Sequence, residues 1–441
     1  MNPRVHELLA MLEAGPLSAR ELAARLEVSQ PTVSRLVFEA GDRVLHLGQG
    51  RSKRYALPRV LPGLGYRFPL YRVDKLGVIQ DFGVLEAYQS GYQVVLVAGN
   101  SLQFDDLPWF LQDMRLQWFL GRLAVRYLQD HAVAGVEIGG RLNEWSSDQV
   151  LAFLLRRQID GVGDLLVGGW TRDIFQPLRW KSAIGVISDR GSRYPLLSQQ
   201  ALDGTEDMLS SAAGEQPKFM THRPEDDWPC IVKFSPLLDT AAGQRWADLL
   251  YCEYLALTVL HEHGVAATTP SVYHIDNRVY FEVPRFDREG LLGRYGVASL
   301  EAVNGEFSGG PYADGWSGAG AALARKKIIT KADAERMARL EAFGRCIANT
   351  DMHFGNLAFF RSPTLELSLA PIYDMLPMYY APVNGEVVSR EVPALRLPAA
   401  LAKHADWARS AASEFWRRVT QDERISQEFR GIAQQHLQLL S

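Results

Sequence analysis

Residues 349–356 read Asn-Thr-Asp-Met-His-Phe-Gly-Asn, and residues 370–374, further along the chain, read Ala-Pro-Ile-Tyr-Asp. In the first stretch Asp351 precedes Asn356 by the interval that separates the base from the metal-binding asparagine in kinase catalytic loops. Asp374 adds a second carboxylate after a short predicted strand. A base, an amide and a carboxylate in this order are what phosphoryl transfer from ATP with Mg²⁺ requires. The two stretches therefore predict the catalytic and metal-binding half of a nucleotide site.

The chain before residue 349 supplies the other half of such a site. Lys233 lies in the apolar stretch Cys230–Phe234, which predicts a buried strand, and Glu253 lies on the helix predicted over Arg245–His261. A helix glutamate that holds the ATP lysine is a feature of protein kinases. The small residues of 210–218 predict a turn suited to phosphate. Each part alone is ordinary, since strand-end lysines and helix acids are usually solvated, so the prediction rests on their joint order.

The composition is that of a globular protein with two or three domains. The 441 residues are 47% hydrophobic and 22% charged, and domains average roughly 150 residues. Three cysteines without a CxxC pattern predict neither a disulfide framework nor a zinc site. The sequence has no secretory start and no apolar stretch of about 18 residues. These features predict a cytoplasmic protein without a membrane segment.

Residues 1–60 form a basic head. They hold nine Lys/Arg and six Asp/Glu, so the head carries +3 and the remaining chain −7 of the net −4. Three short helices are predicted, the second opened by a capping box of Ser18 and Glu21 and the third by Ser29. A hairpin over residues 44–57 and a linker over 58–65 follow. Three helices and a hairpin predict a winged helix-turn-helix.

In a winged helix the third helix enters the major groove of DNA, and the hairpin reaches phosphate. The DNA-binding residues predicted here are Ser29, Gln30, Thr32, Ser34 and Arg35 on the helix, and Arg51, Lys53 and Arg54 on the wing. A homodimer is expected because such proteins usually read two half-sites. The alternative is that the head is a dimerisation or protein-docking module.

The rest of the chain mixes short strands and helices up to about residue 284, and helices dominate afterwards. The glycine-rich residues 304–320 predict a mobile loop. The predicted fold class is α+β. The predicted domains are a head over 1–60, a smaller lobe over 61–284 that carries the ATP lysine, and a helical lobe over 285–441.

Seven segments of this sequence resemble the HipA family of serine/threonine kinases, the toxins of type II toxin–antitoxin modules. The segments are PWFLQDMRLQWFLGR, SSAAGEQPK, CIVKFSP, LLYCEYLALTVLHEHG, PRFDREG, CIANTDMHFGNLAFF and LAPIYDMLP. The resemblance covers roughly residues 70–395, and the helix-turn-helix in front makes the chain most similar to YjjJ-type members. It implies a two-lobed kinase-like body that uses ATP and Mg²⁺.

The resemblance also implies roles for individual residues. Lys233 would contact the ATP phosphates, Asp351 would be the base, and Asn356 and Asp374 would bind Mg²⁺. The nucleotide-binding residues implied in this way are Ser211, Ala213, Gly214, Gln216, Lys218, Lys233, Glu253, Pro284, Phe286, His353, Asn356 and Asp374. Two positions depart from the family pattern: Pro284 replaces a glutamate in the hinge, and Gly355 replaces a lysine before Asn356.

Regulation and partners are further implications of the resemblance. Ser211 matches a serine that family members phosphorylate in their own phosphate loop, with Ser210 as a second acceptor. Its phosphate would eject the loop, because it cannot occupy the place of the ATP phosphates. Relatives phosphorylate aminoacyl-tRNA synthetases and work beside a helix-turn-helix antitoxin. The alternative function is a DNA-binding transcriptional regulator whose degenerate kinase body senses nucleotide, favoured by Pro284 and Gly355.

Overall fold

The structure is a computed structural model that describes residues 2–50, 53–115, 145–157, 161–178, 189–203 and 216–440. The chain divides into two compact units. The amino-terminal unit comprises residues 1–116 and 124–181, and the carboxy-terminal unit comprises 117–123 and 182–441. The boundaries predicted after residues 60 and 284 stay predictions. None of the described helices combines the length and the apolar character that a membrane span needs.

The head consists of three helices and a small antiparallel sheet. The helices are α1 (Pro3–Leu12), α2 (Ala19–Arg25) and α3 (Gln30–Ala40), and the strands, in sheet order, are β1 (Leu17–Ser18), β3 (Arg54–Ala56) and β2 (Leu45–Leu47). The predicted capping box is present: Ser18 Oγ accepts from the Glu21 N–H at 3.2 Å, and Glu21 Oε2 accepts from the Ser18 N–H at 2.7 Å. The winged helix-turn-helix prediction is confirmed.

A five-stranded antiparallel sheet completes the amino-terminal unit. Its strands, in sheet order, are β7 (Ser101–Phe104), β6 (Gly91–Leu96), β5 (Ile79–Tyr88), β4 (Arg67–Val73) and β8 (Leu165–Val167). The helices of this part are α4 (Trp109–Gln112), α5 (Ser147–Arg157) and α6 (Gly169–Leu178). The helical spacing over residues 116–127 lies outside the described residues.

The segment predicted as a linker, residues 58–65, joins the head to β4 and is bonded to the sheet. The Arg59 N–H donates to the Ala87 carbonyl at 2.9 Å, Pro58 forms a bridge with Tyr88, and Leu61 is buried. Leu61 and Gly65 close a turn, and the segment before it runs beside the carboxyl end of β5. The wing packs beside it, since Leu45, Leu47 and Ala56 share a small core with Tyr88. Head and sheet are therefore one packed body.

The described part of the carboxy-terminal unit begins with a helix and a four-stranded antiparallel sheet. The helix is α7 (Arg190–Asp203), and the strands, in sheet order, are β11 (Ser271–Ile275), β12 (Arg278–Pro284), β10 (Pro229–Phe234) and β9 (Lys218–His222). The turn predicted at Asp276-Asn277 joins β11 to β12. Helix α8 (Ala241–Glu262) follows β10, packs against β12 and is capped by Thr240, whose Oγ1 accepts from the Gly243 N–H at 3.0 Å.

A helical lobe with small sheets forms the rest of the unit. The helices are α9 (Leu300–Phe307), α10 (Gly315–Arg325), α11 (Lys331–Cys346), α12 (Ala405–Gln421) and α13 (Gln427–Leu440). The strands are β13 (Arg288–Glu289), β14 (Gly293–Arg294), β15 (Gly296–Ser299), β16 (Ala358–Arg361) and β17 (Leu367–Leu369). Short 3-10 turns lie at Gly41–Arg43, Tyr312–Asp314, Phe354–Asn356, Met378–Tyr380 and Ala399–His404.

The mobile loop predicted over residues 304–320 is wrong, because most of this stretch is in α9 and α10. Its glycines permit close packing of helices. A Cβ on Gly320 would lie 3.1 Å from Met337 Sδ on α11, and one on Gly315 would lie 2.6 Å from Glu341 Oε1. The glycine content of this stretch predicted a flexible loop, but the glycines lie in helices that pack closely against α11.

Candidate active site

Lys233 is the centre of a buried charge cluster. It lies on β10, a central strand, opposite Lys218 on β9 and Phe281 on β12. Its Nζ donates to both carboxylate oxygens of Glu253 on α8, at 2.7 and 2.8 Å, and also contacts Asp374 Oδ1. Lys233 and Glu253 are 8% and 1% exposed. We call Lys233, Glu253 and Asp374 the lysine cluster.

Burial and charge act against each other in the lysine cluster. Burial lowers the pKa of Lys233, but the charges of Asp374 and Glu253 outweigh it, so the pKa is raised above its ordinary value. Burial raises the pKa of Glu253 to about 7 despite Lys233. Burial also raises the pKa of Asp374, but Lys233 and Lys218 outweigh it and the net pKa is lowered. The cluster therefore keeps Lys233 protonated and Asp374 ionised.

Asp374 is held by an unusual backbone. Its φ is 53°, in the left-handed region that few residues other than glycine adopt. The preceding residues are anchored, since the Ile372 N–H donates to the Ala266 carbonyl at 2.9 Å and the Thr268 N–H donates to the Ile372 carbonyl at 3.0 Å. The chain that leaves α8 thus fixes the stretch before Asp374. Left-handed residues held in this way concentrate at functional sites.

Residues 349–356, which we call the catalytic loop, are ordered by amide side chains. Asn349 Oδ1 accepts from the Asp351 N–H at 3.0 Å, and Asn349 Nδ2 donates to the Asp374 carbonyl at 3.3 Å. Asn356 Nδ2 donates to the Asp351 carbonyl at 2.8 Å. Asn349 thus connects the catalytic loop to the lysine cluster. The sequence prediction missed this residue; its side chain accepts from the N–H two residues on, which is an Asx turn, and Asn favours such turns.

Asp351 is exposed and differs from Asp374 in its electrostatics. Partial burial raises its pKa, His353 lowers it and Asp374 raises it, with a raised net value. Lys233 also acts on the carboxyl, so Asp351 lies within electrostatic range of the lysine cluster. A carboxylate with a raised pKa is a better proton acceptor than an ordinary aspartate.

A side chain at position 355 would collide with the His353 ring. The Gly355 N–H donates to His353 Nδ1 at 3.0 Å, and a Cβ on Gly355 would lie 2.9 Å from Nδ1 and Cε1 of that ring. The lysine expected at this position by resemblance would therefore displace the His353 ring.

The hinge residues lie at the end of β12. Pro284 pairs with Cys230, and the Arg285 N–H donates to the Pro229 carbonyl at 2.9 Å, so the hinge is tied to the strand that carries Lys233. The Phe286 ring stacks on Tyr373, with ring centroids 5.7 Å apart. Phe286 therefore packs against the residue next to Asp374.

The phosphate turn lies mostly outside the described residues. Ser210, Ser211, Ala213 and Gly214 fall there, and so does Arg51 of the wing. Gln216 and Lys218 are described, and the charge of Lys218 reaches Asp374. The roles predicted for these residues stay predictions.

The third helix of the head presents polar side chains. Ser29, Gln30, Ser34 and Arg35 are exposed, and Thr32 is half-buried. Arg35 Nη2 donates to Thr32 Oγ1 at 3.3 Å. On the wing, Arg54 is exposed and donates to the Pro16 carbonyl, and Lys53 is half-buried with its Nζ 5.6 Å from the Tyr55 ring centroid. The contacts of Lys53 and Arg54 are within the head.

Two oxygen donors fit the Mg²⁺ that the sequence resemblance implies. Asp374 is ionised, and the Asn356 amide is oriented by its Nδ2 bond so that its Oδ1 stays available. Oxygen atoms of carboxylates and amides are the ligands that Mg²⁺ prefers. Among the described residues, no group of three or more His, Cys, Asp or Glu could hold a metal ion. A Mg²⁺ ion held by Asp374 and Asn356 would need further oxygen ligands from water or from phosphate.

Comparison with known proteins follows the same division of the chain. Residues 2–35 match the family model of bacterial regulatory proteins of the arsR family. Residues 64–175 match the middle domain of YjjJ-like toxins, and residues 210–438 match the HipA-like C-terminal domain.

Two individual proteins extend this agreement. Toxin YjjJ of Escherichia coli (strain K12) is 37% identical over 436 residues, which cover 97% of this chain and 96% of that protein. The structure of HipA from Shewanella oneidensis MR-1, solved with HipB and operator DNA, aligns with a TM-score of 0.51 at 14% identity over 85% of this chain and 95% of that one. The predicted fold class is confirmed. The chain belongs to the HipA-like family of YjjJ-type toxins, with a helix-turn-helix at its amino terminus.

Proposed function

We propose that this protein is an ATP- and Mg²⁺-dependent serine/threonine protein kinase with a DNA-binding head. The observation that carries the proposal is the convergence of Lys233, Glu253 and Asp374 beside Asp351, with Lys233 Nζ 2.7 Å from Glu253 Oε1. These residues come from β10, α8 and two loops that are far apart in sequence. A protonated lysine, an ionised metal ligand and a base with a raised pKa are the groups that phosphoryl transfer needs.

Each residue has a distinct part in the proposed reaction. The Lys233 ammonium binds phosphate oxygens and is kept in place by Glu253. Bound Mg²⁺ supplies charge neutralisation at the phosphates, and Asp374 and Asn356 would hold it. Asp351 accepts the proton of the substrate hydroxyl as that oxygen forms a bond to the γ-phosphorus and the bond to ADP breaks. By resemblance the acceptor is a protein hydroxyl, with an aminoacyl-tRNA synthetase as the class of substrate.

Incubation with γ-labelled ATP and Mg²⁺, alone and with a bacterial lysate, tests this activity. We expect label on the protein itself and on lysate proteins, and a loss of about 10²- to 10⁴-fold in Asp351→Asn, because the base is removed. Asp406→Asn, an exposed aspartate on α12, is the matched control and should retain full labelling. Ser211→Ala should lose most self-labelling. Unchanged self-labelling would mean that another serine is the acceptor, with Ser210 as the first candidate.

A second function is favoured by Pro284 and Gly355, which depart from the family pattern at the proposed nucleotide site. In this alternative the protein is a DNA-binding transcriptional regulator whose body senses nucleotide without transferring phosphate. The two functions are distinguished by the same experiment. ATP binding without label on any protein would support the regulator and contradict the kinase.

The head supports DNA binding through α3, which presents Gln30, Ser34 and Arg35. The similar HipA was solved with HipB and operator DNA; here the head is part of the same chain and would supply DNA contacts itself. Arg35→Ala should weaken specific DNA affinity by about 1–3 kcal/mol if Arg35 reads a base edge. Footprinting measures this, with Arg417→Ala on α12 as control. An unchanged footprint would leave the head as a docking or dimerisation module.

A further inference from the structure

A cavity of about 700 Å³ lies beside the catalytic loop in the carboxy-terminal unit. Thr350 and Asp351 form part of its wall, with Arg345 from the end of α11, Arg396 from the chain after Asp374, and Leu439 and Leu440 from α13. This volume is within the range of about 300–1,000 Å³ that ligand pockets occupy. The cavity is therefore large enough for several side chains of a bound peptide segment.

Asp351 is the residue that connects the cavity to the proposed reaction. Lys233, Glu253 and Asp374 are not among its lining residues, whereas Asp351 is. The base of the proposed reaction therefore borders this cavity, and the lysine cluster lies elsewhere around the same loop. A hydroxyl that gives its proton to Asp351 must come within hydrogen-bond distance of that carboxylate. The cavity is a space from which such a hydroxyl can arrive.

The two arginines of the wall differ in their pairing. Arg345 donates to Glu341 Oε1 through Nε at 3.0 Å and through Nη2 at 2.8 Å, so its charge is balanced within α11. Arg396 is exposed and has neither an ion pair nor a hydrogen bond within the described ranges. A guanidinium without a partner at the wall of a cavity is suited to a carboxylate of the occupant.

Other residues of the wall are apolar. Leu439 is 51% exposed although it is a large hydrophobic residue, and Pro393 and Leu395, which precede Arg396 in the sequence, also line the cavity. Burial of such side chains against an apolar residue of a partner is favourable, at about 25 cal/mol per Å². Charge and apolar surface therefore occur together at the wall that Asp351 borders.

We propose that this cavity binds the acceptor segment of the protein substrate, with an acidic side chain of that segment on Arg396 and an apolar side chain against Leu439 and Leu440. The proposal rests on the proposed kinase function. It names the substrate class as peptide segments in which a serine or threonine has an acidic residue nearby. Arg396 is a specificity-determining residue in this account and takes no part in the transfer itself.

A peptide library prepared from a dephosphorylated bacterial proteome tests the proposal, with γ-phosphate transfer detected by mass spectrometry. The wild type should enrich peptides with Asp or Glu at one fixed distance from the acceptor. Arg396→Glu should lose that preference and raise the KM for the best acidic peptide by about tenfold to a hundredfold. Its KM for ATP and its thermal stability should not change. Arg396→Lys should retain part of the preference.

Arg325→Glu, at an exposed arginine on α10 outside the cavity, is the matched control and should keep the acidic preference. Phosphorylated peptides without an acidic preference in the wild type would overturn the proposal, and so would the same preference in Arg396→Glu. Transfer to intact lysate proteins but to no peptide would also overturn it, because the cavity would then not recognise a segment. Absence of transfer to any peptide or protein would instead refute the kinase function itself.

Discussion

The lysine cluster and the catalytic loop hold two aspartates in opposite ways. Asp374 contacts the Lys233 ammonium, has a left-handed backbone and a lowered pKa. Asp351 is exposed, is held through its backbone by the Asn349 and Asn356 amides, and has a raised pKa. One environment is organised by charges and the other by neutral hydrogen bonds. The same residue type is thereby suited to metal binding in one place and to proton transfer in the other.

The largest effect is expected from breaking the lysine cluster. Lys233→Met would leave the Glu253 and Asp374 carboxylates without their cation, and we expect the free energy of unfolding to fall by about 3–5 kcal/mol. Chemical denaturation followed by tryptophan fluorescence measures the change. Lys218→Met is the matched control, since Lys218 lies opposite Lys233 on the neighbouring strand, and it should cost about 1 kcal/mol or less.

A double variant sharpens this test. Lys233→Met combined with Glu253→Gln should recover part of the lost stability, because the buried carboxylate on α8 is then absent. Equal losses in Lys233→Met and Lys218→Met, or no recovery in the double variant, would contradict the charge balance described for the cluster.

A smaller effect is expected at Asn349, which connects the two regions. Asn349→Ala removes the acceptor of the Asp351 N–H and the donor to the Asp374 carbonyl, and it should cost about 1–3 kcal/mol of stability and reduce label transfer. Asn349→Asp keeps the acceptor but places a buried carboxylate oxygen against the Asp374 carbonyl, so it should cost at least as much stability as the alanine variant. If both variants transferred label at the wild-type rate, Asn349 would not position the loop.

The smallest effect is expected in the pH dependence of label transfer. Asp351 must be ionised to accept a proton, and its pKa is raised. As the pH decreases, the rate should therefore begin to fall at a pH above the ordinary aspartate pKa of about 3.9. His353→Ala should move this acidic limb to higher pH, because the charge of His353 lowers the pKa of Asp351. A limb that stays in place or moves to lower pH would remove His353 from this role.

The pKa of Asp374 is shifted in the opposite direction from that of Asp351, and this shift affects stability. Because its pKa is lowered, its ionisation stabilises the fold above the unfolded pKa of about 3.9, and this contribution is lost as the pH falls through the folded pKa.

Patterns in neighbouring residues predicted the head, and they also predicted individual strands and turns in the rest of the chain. The Ser18 and Glu21 pair, the turn at Asp276-Asn277 and the strand around Lys233 are each determined by neighbouring residues, and the structure has them. The order of Lys233, Glu253, Asp351 and Asp374 also predicted which residues the fold brings together. Their roles in catalysis stay predictions.

The features that sequence could not supply depend on contacts between distant segments. Asn349 has the Asx pattern locally, but its bond to the Asp374 carbonyl joins residues 25 positions apart. The segment 58–65 follows β5 because of backbone bonds to Ala87 and Tyr88, which its composition does not reveal. The glycines of 304–320 fit helix packing against Met337 and Glu341. In each case tertiary contacts override the local signal.

The most direct test of the role assigned to Asp374 is the effect of Mg²⁺ on ATP binding, measured by calorimetry in the wild type and in Asp374→Asn. If Asp374 is the metal ligand of a nucleotide site, Mg²⁺ should tighten ATP binding by at least about tenfold, or 1.4 kcal/mol, in the wild type and have little effect in the variant. Equal Mg²⁺ dependence in both proteins, or no ATP binding by the folded wild type, would contradict the account.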